Sequence, residues 1–174
     1  DKAVERVLNI VFRYSENHDK DAAYDFEAGH EAARKVETES AVLLKNEDAI
    51  LPLKDGEKIV YIGEYVKAPR YQGGGSSHIN PYKVTGIWEV VGEKEGTSYV
   101  KGYDLKAETI EKDAAVEAAR GADKAVIFAG LPDSYETEGI DRTNMDIPAY
   151  QNELIAAVAA AQPNTVVVLH NGSP

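Results

Sequence analysis

The chain has 174 residues, 43% hydrophobic and 28% charged, with no cysteine and a formal net charge of −11 from 30 acidic and 19 basic side chains. That length supports one domain with its own core. The missing thiols exclude disulfides and cysteine-ligated zinc and lean the expected compartment toward a reducing cytoplasm, and so acidic a surface argues against nucleic acid or anionic membrane as partners.

No apolar run approaches the ~20 residues of a membrane span, and no leader segment is visible. Residues 1–14 place Val4, Val7, Leu8 and Val11 at helical spacing, and the polar run SENHDKD at 15–21 breaks the pattern. A second helix is predicted over about 25–45, with Ala33, Val36, Ser40, Leu43 and Leu44 along one side, followed by a Pro52-containing connection to residue 55. From there the pattern changes. KIVYI at 58–62 is a short β-branched strand ended by Gly63, and 82–91 reads as a helix with Val84, Ile87, Trp88 and Val91 on one face. SYVKG at 98–102 is a weaker strand, 108–120 an alanine-rich helix, KAVIFA at 124–129 a third strand, 148–161 a helix, and TVVVL at 165–169 a fourth strand.

Alternating strands and helices predict βαβ units and a parallel sheet, and continuous apolar strands predict helices on both faces. The expected fold class is therefore α/β: a three-layer sandwich with a mainly parallel sheet of about four strands, preceded by a helical linker. The expected division is 1–55 for the helical segment and interdomain linker and 56–174 for the first portion of the sandwich.

Ligands of open α/β sheets bind beyond the carboxyl ends of the strands, at the point where strand order reverses. With an order 2-1-3-4, the loops beside that point are the two longest, 63–81 and 130–147, with 102–105 and 170–174 as the other loops at that end. The first contains RYQGGGSSHINP at 70–81. Its three glycines let backbone approach a ligand closely, and Arg70, Gln72, Ser76, Ser77, His78 and Asn80 offer partners for sugar hydroxyls. A phosphate cradle is the rival reading, without a GxGxxG or GK[ST] pattern to support it. A flexible connection, with Ser77 or Asn80 capping the next helix, is the plainer one. The second loop, GLPDSYETEGIDR at 130–142, holds four carboxylates (Asp133, Glu136, Glu138, Asp141) and one arginine. A carboxyl near other carboxylates, or in a poorly solvated crevice, has a raised pKa suited to a general acid. In extended backbone Glu136 and Glu138 would point the same way, with Arg142 as charge partner; a solvated acidic turn explains the same residues. The histidines form no metal set, though His78 and His170 fall at the crevice end. Neither a metal nor a cofactor is expected.

VLLKN at 42–46, LPL at 51–53, QGGGSS at 72–77, GLPDSYETEGIDR at 130–142, MDIP at 145–148 and TVVVLHNGSP at 165–174, in this order, closely resemble family 3 glycoside hydrolases of the β-glucosidase type. The resemblance implies a TIM-like barrel domain paired with an α/β sandwich, with the active site between them. It implies that the barrel supplies the nucleophilic aspartate and most of the sugar pocket. The sandwich supplies the general acid/base in an E-G-x-D-R context, which matches Glu138, with Glu136 as the alternative because T-E-G and E-T-E share the stretch. A sugar contact is implied for Ser76; Arg70, Gln72, His78 and Arg142 remain substrate-binding candidates from the loops' own residues.

The implied activity is retaining, exo-acting hydrolysis of β-linked glucosides or oligosaccharides, with a carbohydrate substrate and the barrel domain of the same polypeptide as partners. A homo-oligomer is left open. Without the barrel, the 174 residues alone are expected to be inactive, and a free sheet edge is expected to favour association. The competing reading is a non-catalytic α/β module binding a sugar or nucleotide; an interaction domain with an incidental acidic loop is a third.

Overall fold

In the computed structural model residues 1–172 are described, so residues 173–174, the end of the fourth crevice loop, lie outside the described part. The chain divides into two compact units, Asp1–Val42 and Leu43–Pro174.

The first unit holds helices α1 (Lys2–Asn17) and α2 (Phe26–Ser40). α1 runs past the expected end at 14 because the polar side chains that follow are absorbed into its last turn. Ser15 Oγ donates to the Val11 carbonyl at 3.0 Å and Asn17 Nδ2 to the Arg13 carbonyl at 2.8 Å. Asp25 caps α2 by accepting from Ala28 N at 2.9 Å. α2 stops at Ser40 rather than 45, where Ala41 turns extended, so Leu43 and Leu44 do not continue its apolar side.

The second unit holds β1 (Ile59–Ile62), α3 (Ile87–Val91), β2 (Thr97–Val100), β3 (Tyr103–Asp104), β4 (Thr109–Ile110), α4 (Lys112–Arg120), β5 (Lys124–Gly130), α5 (Ala149–Ala161) and β6 (Thr165–His170). The main sheet is wholly parallel in the order β2-β1-β5-β6. Counting only these four strands, this is the 2-1-3-4 order read from the sequence. All four residues of β1 and all seven of β5 are buried, as continuous apolar strands covered on both faces must be. α4 contributes Ala115 and Ala119 to the core, α5 contributes Leu154 and Val158, and Tyr65, Val66, Val91 and Tyr103 complete it. Truncating a fully buried side chain such as Ile62 or Ile127 to alanine costs about 2–5 kcal/mol in such a setting.

Two helices are shorter than the periodicity predicts. The expected 82–91 helix begins only at Ile87. Val84 and Thr85 are β-branched, and Gly86 is the N-cap, its N–H donating to the Glu89 carboxylate at 3.4 Å; Ser77 and Asn80 therefore do not cap it. The expected 108–120 helix begins at Lys112, because the residues before it form the antiparallel β3–β4 pair. Asp104 closes that hairpin by accepting from Lys106 N and Ala107 N at 2.9 and 2.8 Å. Its carboxyl is held down to about 2, first by the Lys101 ammonium and then by these amides.

The carboxyl end of β5 is pinned. Tyr103 Oη donates to the Phe128 carbonyl at 2.7 Å, Tyr65 Oη donates to the Leu131 carbonyl at 2.9 Å, and the buried Gln151 accepts from Gly130 N at 2.8 Å. Every one of these groups is buried, so each bond removes a polar penalty at the point where the chain leaves the sheet. The loop after β5 therefore starts from a rigid base.

Candidate active site

Both long loops return to meet each other above the sheet. Gly74 pairs in parallel with Thr137, and Gly74 N donates to the Glu136 carbonyl at 3.2 Å. Together with residues 170–172 after β6 they line a groove of about 680 Å³. Of the four loops expected at this end, three converge; 102–105 is taken up by β3 and lines no part of the groove.

Among the described residues, donors from three segments reach the Glu136 carboxylate. Arg70 Nη1 lies 2.6 Å from Oε2, Gly172 N donates to Oε2 at 3.0 Å, and Arg142 Nη1 lies 3.3 Å from Oε1. The side chains of Arg70 and Glu136 are only 9% and 15% exposed. In this setting a charge-assisted pair is screened far less than at the surface. A Cβ at Gly172 would stand 2.5 Å from Glu136 Oε2, so a larger residue there would have to displace the carboxylate from its donors. Arg70 Nε, buried and without a hydrogen-bond acceptor among the described residues, faces Asp133 Oδ1 at 3.7 Å.

Glu138 takes a different partner. Ser76 N donates to its Oε2 at 2.9 Å, and the Ser76 hydroxyl donates to the same oxygen. The two glutamates take different partners, and Thr137 between them pairs with Gly74 while turns flank it on either side. Tyr135 N bonds the Pro132 carbonyl at 2.9 Å and Ile140 N the Thr137 carbonyl at 3.4 Å. Gly75 makes the approach of the two loops feasible: its φ is +84°, and a Cβ there would meet the Glu138 Cβ at 2.7 Å. The Ser76 hydroxyl, then its N–H, holds the exposed Glu138 carboxyl below the usual carboxylate range. A raised value, the expectation for a carboxyl among carboxylates, is not what this arrangement produces, because donors and not neighbouring acids dominate at Glu138.

The groove brings together Arg70, Gln72, Ser76, Glu136, Glu138 and Arg142, and leaves exposed His78 outside its lining. Gln72 is turned back into its own loop: its Oε1 accepts from Ile79 N at 2.9 Å and its Nε2 donates to the Ile79 carbonyl at 3.4 Å. Arg70 and Arg142 present guanidinium nitrogens to Glu136. His170 lines the groove floor with its ring stacked on Tyr65 at 5.4 Å and tilted against Phe128 at 5.6 Å. Thr137 and Gly172, which bridge the loops, carried no local signal in the sequence. Their roles arise from contacts between segments far apart along the chain.

Residues 41–174 match the glycosyl hydrolase family 3 C-terminal domain. The chain belongs to this family. It is 51% identical to the thermostable β-glucosidase B of Acetivibrio thermocellus over 180 aligned residues, covering 99% of this chain and 24% of that protein. It is 44% identical to an exo-α-(1→6)-L-arabinopyranosidase of Bifidobacterium longum, covering 86% of this chain and 22% of that one. Among solved structures, the family 3 β-glucosidase of Bifidobacterium adolescentis superposes with a TM-score of 0.80 at 43% identity, over 90% of this chain and 23% of the other. The chain therefore spans about a quarter of the length of these family 3 relatives.

Proposed function

We propose that the chain is the acid/base-bearing part of a retaining, exo-acting β-glycosidase that hydrolyses β-linked glucosides or oligosaccharides. The observation that carries this reading is Glu138. It is an exposed carboxyl in the motif Glu138–Gly139–Ile140–Asp141–Arg142, held by Ser76 on the lining of the groove where three loops converge. The likeness to a β-glucosidase over nearly the whole chain supports the same reaction class.

In this reading Glu138 protonates the departing glycosidic oxygen and then, as carboxylate, takes a proton from the water that releases the sugar. The nucleophilic aspartate comes from the barrel domain of the same polypeptide, ~5–5.5 Å from Glu138 when the two domains close on a substrate. The carboxylate held by Ser76 suits the second, basic step. The first step needs a proton on Glu138, taken up from solvent as the groove closes: excluding bulk water and exchanging the donors of Ser76 for the sugar oxygen both raise its pKa. Ser76 and its loop then face the sugar.

The test is hydrolysis of aryl β-glucosides, with an aryl α-L-arabinopyranoside included, by the full-length protein carrying this chain. Glu138→Ala is expected to lower turnover of poor leaving groups by roughly 10²–10⁴-fold, the usual share of general acid catalysis, and to spare good leaving groups in the first step. Equal activity of variant and wild type on poor leaving groups would remove Glu138 from the role.

A further inference from the structure

We infer that Glu136 is the positioning residue of the site: it locks the loop carrying Glu138 to both neighbouring loops, so that the acid/base is aimed without taking part in proton transfer. This rests on the assignment of Glu138 above. One carboxylate receives donors from three separate segments, Arg70 at the stem of the glycine-rich loop, Arg142 at the far end of the acidic loop, and Gly172 N beyond β6. The main-chain carbonyl of Glu136 accepts from Gly74 N, two residues before Ser76, so the same residue also fixes the strand of loop that meets Glu138. A carboxyl engaged by two guanidiniums and an amide is strongly held as an acceptor, and is badly placed to carry and deliver a proton. Glu138, two residues further on, is held among the described residues by the hydroxyl and N–H of Ser76, and stays exposed. The pair divides into a fixed residue and a deliverable one.

A positioning role has a signature that loss of fold does not. Displacing a catalytic group by about 1 Å costs on the order of 100-fold, but only in the step that uses the group. In the full-length protein, Glu136→Gln keeps the side-chain volume and removes the charge. It is expected to lower kcat/KM for an aryl β-glucoside with a poor leaving group by about 100-fold, and for an activated one by less than about 10-fold. Arg142→Lys, which keeps a positive charge but loses the planar donor fork, is expected to give the same selective pattern in weaker form, and carries the test if Glu136→Gln does not fold. Glu138→Ala is measured alongside. If it is selective for poor leaving groups while neither other variant is, the positioning role is wrong and the acid/base assignment stands. If Glu138→Ala is silent and Glu136→Gln reproduces the full acid/base phenotype, both readings fall and Glu136 is the acid.

Discussion

At Glu138 the two donors of Ser76 oppose the proton that a general acid must carry. Because the folded carboxyl sits below its ordinary value, this contact stabilises the fold above the unfolded pKa, and the contribution disappears as pH falls through the folded one. The catalytic consequence has the opposite direction: Ser76→Ala removes the hydroxyl, the larger of the two causes, leaves the main-chain N–H in place, lets the Glu138 pKa rise part of the way, and moves the basic limb of the kcat/KM profile of the full-length protein to higher pH. A pH–rate profile on a poor-leaving-group glucoside reads this, and an unmoved basic limb would show that Ser76 does not bear on the acid. Gly75→Ala is the steric counterpart. Its positive φ and the 2.7 Å approach of a Cβ to Glu138 make it both strained, by about 1–3 kcal/mol, and disruptive, so thermal stability and turnover are expected to fall together. The acid-rich loop and its E-G-x-D-R pattern singled out Glu138 as the candidate acid/base, with Glu136 as the alternative. That the two carboxylates take different partners was not legible, because Ser76, Arg70 and Gly172 lie on segments far from them along the chain.

The four strands of the parallel sheet were legible element by element, since short apolar runs bounded by glycine or Pro-Asn leave few alternatives, whereas the short β3–β4 pair was not. Helix starts were not. Periodicity over 82–91 and 108–120 extended through residues that tertiary contacts take for a cap and for the β3–β4 hairpin. The same contacts give testable energetics. Tyr103→Phe leaves the Phe128 carbonyl buried without its 2.7 Å donor and is expected to cost about 1–3 kcal/mol in denaturant unfolding. At the other end of β5, the nearly buried Lys124 ties its ammonium to the Ile50 carbonyl at 2.8 Å and the Glu57 carboxylate at 3.0 Å. Lys124→Met is expected to cost a similar ~1–3 kcal/mol and to loosen the segment before β1. Hydrogen exchange at Ile59 and Lys58 would detect that loosening; unchanged protection would contradict it.

For the whole molecule, the sheet is unequally covered. β1 and β5 are buried throughout, whereas Val167 and Leu169 on the edge strand β6 are 38% and 45% exposed. A parallel sheet with an apolar edge strand facing water is unsatisfied as it stands. A polypeptide of these 174 residues is expected to self-associate with rising concentration, and Val167→Lys with Leu169→Lys to suppress that; sedimentation of the two compares them directly. The same polypeptide is expected not to hydrolyse glycosides, since the proposed reaction needs a nucleophile from outside it.

The most direct measurement on the central claim uses the full-length protein with Glu138→Ala, an activated aryl β-glucoside and sodium azide. If Glu138 is the acid/base of a retaining enzyme, the covalent intermediate still forms, and azide, which needs no general base, attacks it to give a glycosyl azide of retained β configuration. Azide that leaves the rate unchanged and forms no adduct, or an adduct of inverted configuration, would contradict the account.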